Sequence, residues 1–183
     1  MVLVVFGAFL FGVAMSVLKG DGAGARDAIG NLSAPWLLLP FIAGAAAGDR
    51  RVGRAAAVGV LVSLVARGGF YLANTFVLGL GRHSWLTDVR LTFAGGHYFE
   101  LALLSGPVFG ALGGLWQQRG LTALGVLVAA LLVIEPLGGL VYERADHLIY
   151  TSNASVWAIE VVVGIGACAL AATVARPRRP SVS

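Results

Sequence analysis

Residues 55–80 of the chain read AAAVGVLVSLVARGGFYLANTFVLGL, an apolar run with one charge near its middle. At about 1.5 Å per residue, a helix of this length crosses a bilayer core of about 30 Å. Within the run, Arg67, Tyr71 and Asn74 follow one another at i, i+4 and i+7 and therefore share one helix face. A charge at membrane depth is costly and almost always faces protein or a water-filled cavity. The run therefore predicts a membrane helix whose polar stripe faces the inside of a helix bundle.

The composition of the whole chain excludes an ordinary soluble domain. Its 183 residues are 58% hydrophobic and 12% charged, whereas soluble domains carry about 25% charged residues. The net charge of +4 does not indicate nucleic-acid binding, because the arginines are scattered at predicted helix ends, where they set membrane orientation. The single cysteine, Cys168, lies in an apolar run and is predicted to be buried and inert.

Apolar runs along the sequence predict an all-α fold, a polytopic membrane helix bundle with about six transmembrane helices. The second run is short and is interrupted by Pro40, so it is either a thin, kinked span or a re-entrant hairpin. Residues 1–175 are predicted to form a single transmembrane domain, and residues 176–183 a basic cytoplasmic tail. The predicted spans are residues 2–18, 35–48, 55–80, 97–116, 121–141 and 154–175.

The distribution of arginine predicts how the bundle lies in the membrane. Arg50, Arg51 and Arg54 share one short loop, and short loops rich in positive charge stay on the cytoplasmic side. Because the C-terminal tail is also basic, both termini are predicted to be cytoplasmic. Met1 is followed directly by apolar residues without a basic segment, which favours a retained helix over a signal peptide. The expected localisation is the cell membrane, as a multi-pass protein that contacts the lipid bilayer and no nucleic acid.

Other apolar runs contain glutamates that could face Arg67. In the predicted topology Glu100, Glu135 and Glu160 fall in the same outer half of the bilayer as Arg67. Because carboxylates outnumber guanidinium groups, the site is predicted to be net acidic and to bind a small cationic or amine solute, a metal ion or a proton. A structural alternative stays open, in which Arg67 pairs with one carboxylate and the others are protonated or reach the surface. The predicted ligand-binding residues are Arg67, Tyr71, Asn74, Glu100, Glu135 and Glu160.

Three glycines spaced by four residues predict a helix face suited to close packing. Gly106, Gly110 and Gly114 would form a smooth groove, and small residues let membrane helices approach closely. The pattern does not say whether the partner helix belongs to this chain or to another. It therefore supports an alternative function, a structural or partner-stabilising membrane protein that packs on a membrane protein partner or on copies of itself.

No motif in the sequence points to catalysis or to a resident cofactor. His97 and Glu100 could supply two metal ligands on one helix face, but such a histidine is more often an interfacial residue. Ser105 and Gly106 lie where an intramembrane serine protease has its nucleophile, yet residues 154–175 contain no histidine to activate it. An enzyme is not favoured, and no catalytic residue, metal ligand or cofactor is predicted.

A set of scattered positions comprises Asn31, Ser33, Pro35, Trp36, Tyr71, Gly106, Pro107, Gly110, Gly113 and Glu135. This set resembles a family of small bacterial multi-span membrane proteins of unknown function. That resemblance implies a membrane location and no particular activity. The size, the number of spans and an outward-facing pocket are also similar to the substrate-binding components of energy-coupling-factor transporters, although Ala8 and Gly12 match their small-xxx-small face only in part. This second likeness implies a solute-binding or transport component, which is the function we expect.

Overall fold

The computed structural model of the chain describes residues 1–19, 24–30, 32–47, 51–77, 98–146 and 153–174. These residues form helices and their connections, and no β-strand occurs among them, so the predicted all-α class is confirmed. A π-helical turn, Ala73–Val77, continues the fourth helix. In chain order the helices are α1 Val2–Lys19, α2 Ala25–Gly30, α3 Ala34–Ala46, α4 Val52–Leu72, α5 Tyr98–Arg119, α6 Thr122–Ala129, α7 Leu131–Asp146 and α8 Ala154–Val174.

Within the described ranges, four helical stretches are long and apolar enough to cross a membrane. They match the first, third, fifth and sixth predicted spans, and they are Val2–Lys19, Val52–Leu72, Thr122–Gly139 and Ala154–Thr173. The second predicted span corresponds to α3, whose 13 residues cover only about 20 Å of a core of about 30 Å. The fourth predicted span corresponds to α5, which is not among the four stretches that are long and apolar enough to cross a membrane. The total of six spans and the cytoplasmic position of both termini therefore stay predictions.

Parts of the predicted topology lie outside the described residues. They include the end of the third span at residues 78–80, His97 at the start of the fourth, the last residues of the second and sixth spans, and the basic tail at 176–183. The third span begins three residues earlier than predicted, since α4 starts at Val52. The fifth forms two helices, because a turn at Ala130 separates α6 from α7.

Helix α4 lies at the centre of the larger part of the bundle, where it packs against α1, α3 and α5. The core between these helices is made of small and β-branched side chains, which allow helices to approach closely. Val62 and Ala66 of α4 are fully buried there. Helix α8 packs against α6 and α7 and completes the bundle. The buried core cluster comprises Ala8, Ala43, Val58, Val62 and Ala66.

Glycines bring the backbones of α3, α4 and α5 into direct contact. A Cβ atom on Gly110 of α5 would lie 2.5 Å from the carbonyl oxygen of Ala55 and 2.9 Å from Cα of Gly59, both in α4. Gly106 faces the same helix, and a Cβ on Gly114 would meet the side chain of Ala55 at 2.6 Å. The glycine face of α5 is therefore covered by helices of the same chain.

The outward faces of the helices are apolar. On α8 the side chains of Ile159, Val162 and Leu170 are each more than 60% exposed, and similar residues cover the outside of α1 and α5. A soluble monomer rarely exposes a continuous apolar surface of this extent, whereas lipid tails are as apolar as leucine. Together with the four long apolar helices, this surface is that of a membrane protein.

Candidate ligand-binding site

A cavity of about 510 Å³ lies at one end of the bundle. It forms where α1 and α4 end and where α3 and α5 begin, so side chains from four helices line it. Helix α2 approaches the same end: Arg26 donates a hydrogen bond from Nη2 to the carbonyl oxygen of Val17 at 2.8 Å, and Gly30 contributes to the lining. We refer to this space as the end cavity. Its volume lies within the range of about 300–1,000 Å³ that is usual for small-molecule sites.

The polar stripe predicted on the third span lines the end cavity. Arg67, Tyr71 and Asn74 all contribute to its wall, and Ser63 extends the stripe by one turn toward the start of α4. Asn74 lies in the π-helical turn after α4, a feature that is frequent at functional sites. Its side-chain oxygen accepts a hydrogen bond of 2.7 Å from the hydroxyl of Ser16 in α1. This bond fixes the end of α4 against α1.

An aromatic cluster forms one wall of the end cavity and holds three helices together. The guanidinium carbon of Arg67 lies 4.0 Å from the centroid of the Trp36 ring, which is the geometry of a cation–π contact. Trp36 meets the rings of Phe11 and Phe70 edge to face, with centroids 5.2 and 5.7 Å away. The Nζ atom of Lys19 lies 5.9 Å from the centroid of Phe70. Both basic groups are thus placed on aromatic faces at the cavity.

Two of the predicted glutamates lie together elsewhere, at the start of α3. The carboxylate of Glu135 in α7 accepts the backbone N–H groups of Ser33 and Ala34, at 2.5 and 2.6 Å. The first N–H groups of a helix have no partner within it, and its N-terminus carries partial positive charge. Glu135 satisfies two of these donors from a different helix. Ser33 itself makes no side-chain cap, so this long-range carboxylate replaces the usual local one.

Glu160 of α8 is the other member of this pair. Its side chain is 4% exposed and its carboxyl group lies beside that of Glu135, within range of electrostatic repulsion. Neither of its oxygens has a hydrogen-bond partner of ordinary geometry among the described residues. Pairs of this kind are uncommon, because a buried polar group without a partner destabilises the folded state.

The structure therefore divides the six predicted site residues. Arg67, Tyr71 and Asn74 share the end cavity, while Glu135 and Glu160 meet at the start of α3. Glu100 lies in the first turn of α5 with an exposed side chain and does not line the cavity. Ser33 connects the two places, because it lines the end cavity and also a neighbouring groove of about 420 Å³ that contains Glu135.

A metal site requires several His, Cys, Asp or Glu side chains that lie close together. Across the ranges that the structure describes, no group of three or more His, Cys, Asp or Glu side chains could hold a metal ion. His97, the other half of the pair considered with Glu100, lies outside those ranges. The polar groups of the end cavity are instead suited to hydrogen bonding and to charge recognition.

A family model matches the chain over residues 1–183, which is its full length. The chain belongs to the DUF6518 family of unknown function. This confirms the resemblance to an uncharacterised family, and it brings no activity, substrate or partner with it. No curated protein matches the chain significantly, and no solved structure does. The likeness to energy-coupling-factor components stays a prediction.

Several cavity residues of this DUF6518 member were not predicted as site residues. Ser63 lies four residues before Arg67, so the helical period could have placed it on the same stripe. Trp36, Ser105 and Lys19 also line the cavity. Nothing in the local sequence links these three positions to Arg67. Only the packing of α1, α3 and α5 around α4 brings them together.

Proposed function

We propose that the chain is a multi-pass protein of the cell membrane that binds a small solute in the end cavity, as the substrate-binding part of a transport process. The observation that carries the proposal is a cavity of ligand size, lined by Arg67, Tyr71, Asn74 and Ser63, in a protein whose outer surface is apolar. Polar side chains within a membrane bundle are costly and are usually functional. In the predicted orientation, with both termini cytoplasmic, the cavity opens toward the outer side.

The buried hydroxyl of Ser63 supports a bound molecule in this space. The side chain is 5% exposed and its oxygen has no hydrogen-bond partner among the described residues. A buried hydroxyl without a partner destabilises the folded state by about 1–3 kcal/mol. A ligand or an ordered water in the cavity would supply the missing bond.

Glu135 and Glu160 have a different part in this proposal. Glu135 holds the start of α3, and α3 carries Trp36 and Ser33 into the cavity wall. Glu135 thus positions the site, and neither carboxylate lines the end cavity. A role in docking another chain through Gly106, Gly110 and Gly114 is not proposed, because α3 and α4 already cover that face.

A thermal-shift screen in a neutral detergent tests this function. Wild type is compared with Ser105→Trp, which fills the end cavity, and with Leu104→Trp, whose site is 68% exposed on the outside of the same helix. We expect at least one metabolite to raise the melting temperature of wild type and Leu104→Trp and to leave Ser105→Trp unchanged, because stabilisation follows ligand concentration over Kd. The library contains anions, cations and neutral solutes. If none of them raises the melting temperature of wild type, or if each raises that of Ser105→Trp equally, the proposal is wrong.

A further inference from the structure

The described residues that line the end cavity carry a charge opposite to the one that the sequence suggested. The charged side chains among its described lining residues are Lys19 and Arg67, and no carboxylate occurs among them. The prediction of an acidic site assumed that the membrane glutamates surround Arg67. Glu135 and Glu160 lie instead at the start of α3, and Glu100 does not line the cavity.

The basic groups come from different helices and meet only in the fold. Lys19 is the last residue of α1, and Arg67 lies one turn before the end of α4. Each is held against an aromatic ring, Phe70 for Lys19 and Trp36 for Arg67. A basic group held in this way has fewer conformations to lose when it binds a ligand, which favours affinity.

The remaining lining defines what kind of anion would fit. Tyr71, Asn74 and Ser105 contribute polar groups to the same lining, while Trp36 and Phe70 contribute flat apolar surface. The hydroxyl of Ser63 adds a further group whose hydrogen bonding is not satisfied by the described residues. A molecule with one acidic end and an apolar or aromatic body matches this combination of groups.

We infer that the end cavity binds a small organic anion, a carboxylate with an apolar body, through Lys19 and Arg67. This inference rests on the proposed solute-binding function and specifies its substrate class. A confined basic site concentrates anions and repels cations by factors of roughly 10 to 1,000 relative to bulk solution. The preference for anions is therefore measurable before any natural ligand is known.

Charged thiol reagents measure this preference directly. Ser105→Cys is introduced into a Cys168→Ala background, so that the cavity thiol is the only one in the chain. The probes are methanethiosulfonates carrying a sulfonate, a trimethylammonium or a neutral hydroxyl group. The labelling rate of the protein by each reagent is divided by the rate at which the same reagent reacts with free 2-mercaptoethanol. Gln117→Cys, an exposed position on the same helix, is the matched control.

We expect the anionic reagent to label Ser105→Cys at least roughly tenfold faster than the cationic one after this normalisation. Gln117→Cys should show a much smaller preference. Adding Lys19→Gln or Arg67→Gln should reduce the preference several-fold, while Arg119→Gln, which removes an exposed basic group, should leave it unchanged. Ser63→Cys gives a second cavity thiol if the Ser105 variant folds poorly.

Failure of this inference is distinguishable from failure of the proposed function. Suppose that the neutral reagent labels Ser105→Cys, but the normalised labelling rate of the cationic reagent equals or exceeds that of the anionic one. The cavity is then accessible and the anion assignment is wrong. If the neutral reagent labels neither Ser105→Cys nor Ser63→Cys, the cavity is closed to solutes, and both proposals are wrong.

Discussion

The carboxylate of Glu135 accepts the backbone N–H of Ala34 at 2.6 Å, across 101 residues of sequence. A second hydrogen bond, from the N–H of Ser33 to the other carboxylate oxygen, makes the contact bidentate. Helix α3 thus begins against a side chain of α7, and the two parts of the bundle are connected at the point where the end cavity forms. Most helices are capped by a residue that directly precedes them. Here the cap depends on the tertiary fold, so its removal should affect folding and the cavity together.

Replacing Glu135 should destabilise the protein. In Glu135→Gln one amide oxygen remains as acceptor, and the NH₂ group cannot accept the second N–H, so we expect a loss of about 1–3 kcal/mol. Thermal and denaturant unfolding in detergent would measure it. Ile134→Ala, an outward-facing neighbour that is 53% exposed, should change stability much less. If Glu135→Gln and Ile134→Ala unfold alike, the contact with α3 does not stabilise the fold.

Replacing Glu160 should have the opposite effect. Its carboxyl group is buried beside that of Glu135, so Glu160→Gln removes the repulsion between two acidic groups and keeps an amide that can still donate a hydrogen bond to Glu135. We expect unchanged stability or a gain of up to about 2 kcal/mol, because burying an ionisable group beside another of the same sign destabilises the folded state.

A double-mutant cycle tests the cause of that gain. In a Glu135→Gln background the neighbouring charge is absent, so Glu160→Gln should give a smaller gain than in wild type. Equal gains in both backgrounds would show that repulsion between the two carboxyl groups does not affect stability. A loss from Glu160→Gln comparable to that from Glu135→Gln would show that Glu160 makes a stabilising contact.

The glycine face of α5 should tolerate no side chain. A Cβ on Gly110 would lie 2.5 Å from the Ala55 carbonyl oxygen, so Gly110→Ala must separate α5 from α4, and Gly110→Leu should give little folded protein. Gly68 in α4 has no atom within 4 Å of the corresponding Cβ position. Gly68→Ala should therefore be neutral or stabilising by about 0.5–1 kcal/mol, since alanine favours helix over glycine.

Size-exclusion chromatography and thermal unfolding would separate these glycine variants. We expect the melting temperature of Gly68→Ala to equal or exceed that of wild type, and that of Gly110→Ala to lie well below it. A Gly110→Leu protein that elutes as a folded species with a wild-type melting temperature would contradict the packing of α5 on α4. Such a result would show that the glycine face of α5 is exposed, and it would again support the alternative in which this face packs on another chain.

The contact between Arg67 and Trp36 should be measurable as a coupling energy. A guanidinium 4.0 Å from a ring centroid contributes about 0.5–2 kcal/mol, more where water is excluded. A cycle of Arg67→Gln, Trp36→Leu and the double variant, read by unfolding in detergent, should give a coupling in that range. Strictly additive single effects would show that the two side chains do not interact in solution.

Much of the helix pattern follows from the sequence alone. Apolar runs long enough to cross a bilayer predicted α1 and α8, and the start of α4, to within a few residues. The reason is that their helical hydrogen bonds are local and their hydrophobicity does not depend on neighbours. The stripe of Arg67, Tyr71 and Asn74 was predictable for the same reason, since helical periodicity alone places residues four and seven apart on one face.

The composition of the site was decided by the tertiary structure. Depth in the membrane placed Arg67, Glu135 and Glu160 in one layer, but depth does not say which helices are neighbours within that layer. The contact of α3 with α7 draws Glu135 to the start of α3, and the packing of α1 against α4 brings Lys19 to the cavity in its place. A side chain's chemistry and its height along a helix are local properties that the sequence carries. Which charges meet depends on contacts between distant segments, and those exist only once the helices have packed.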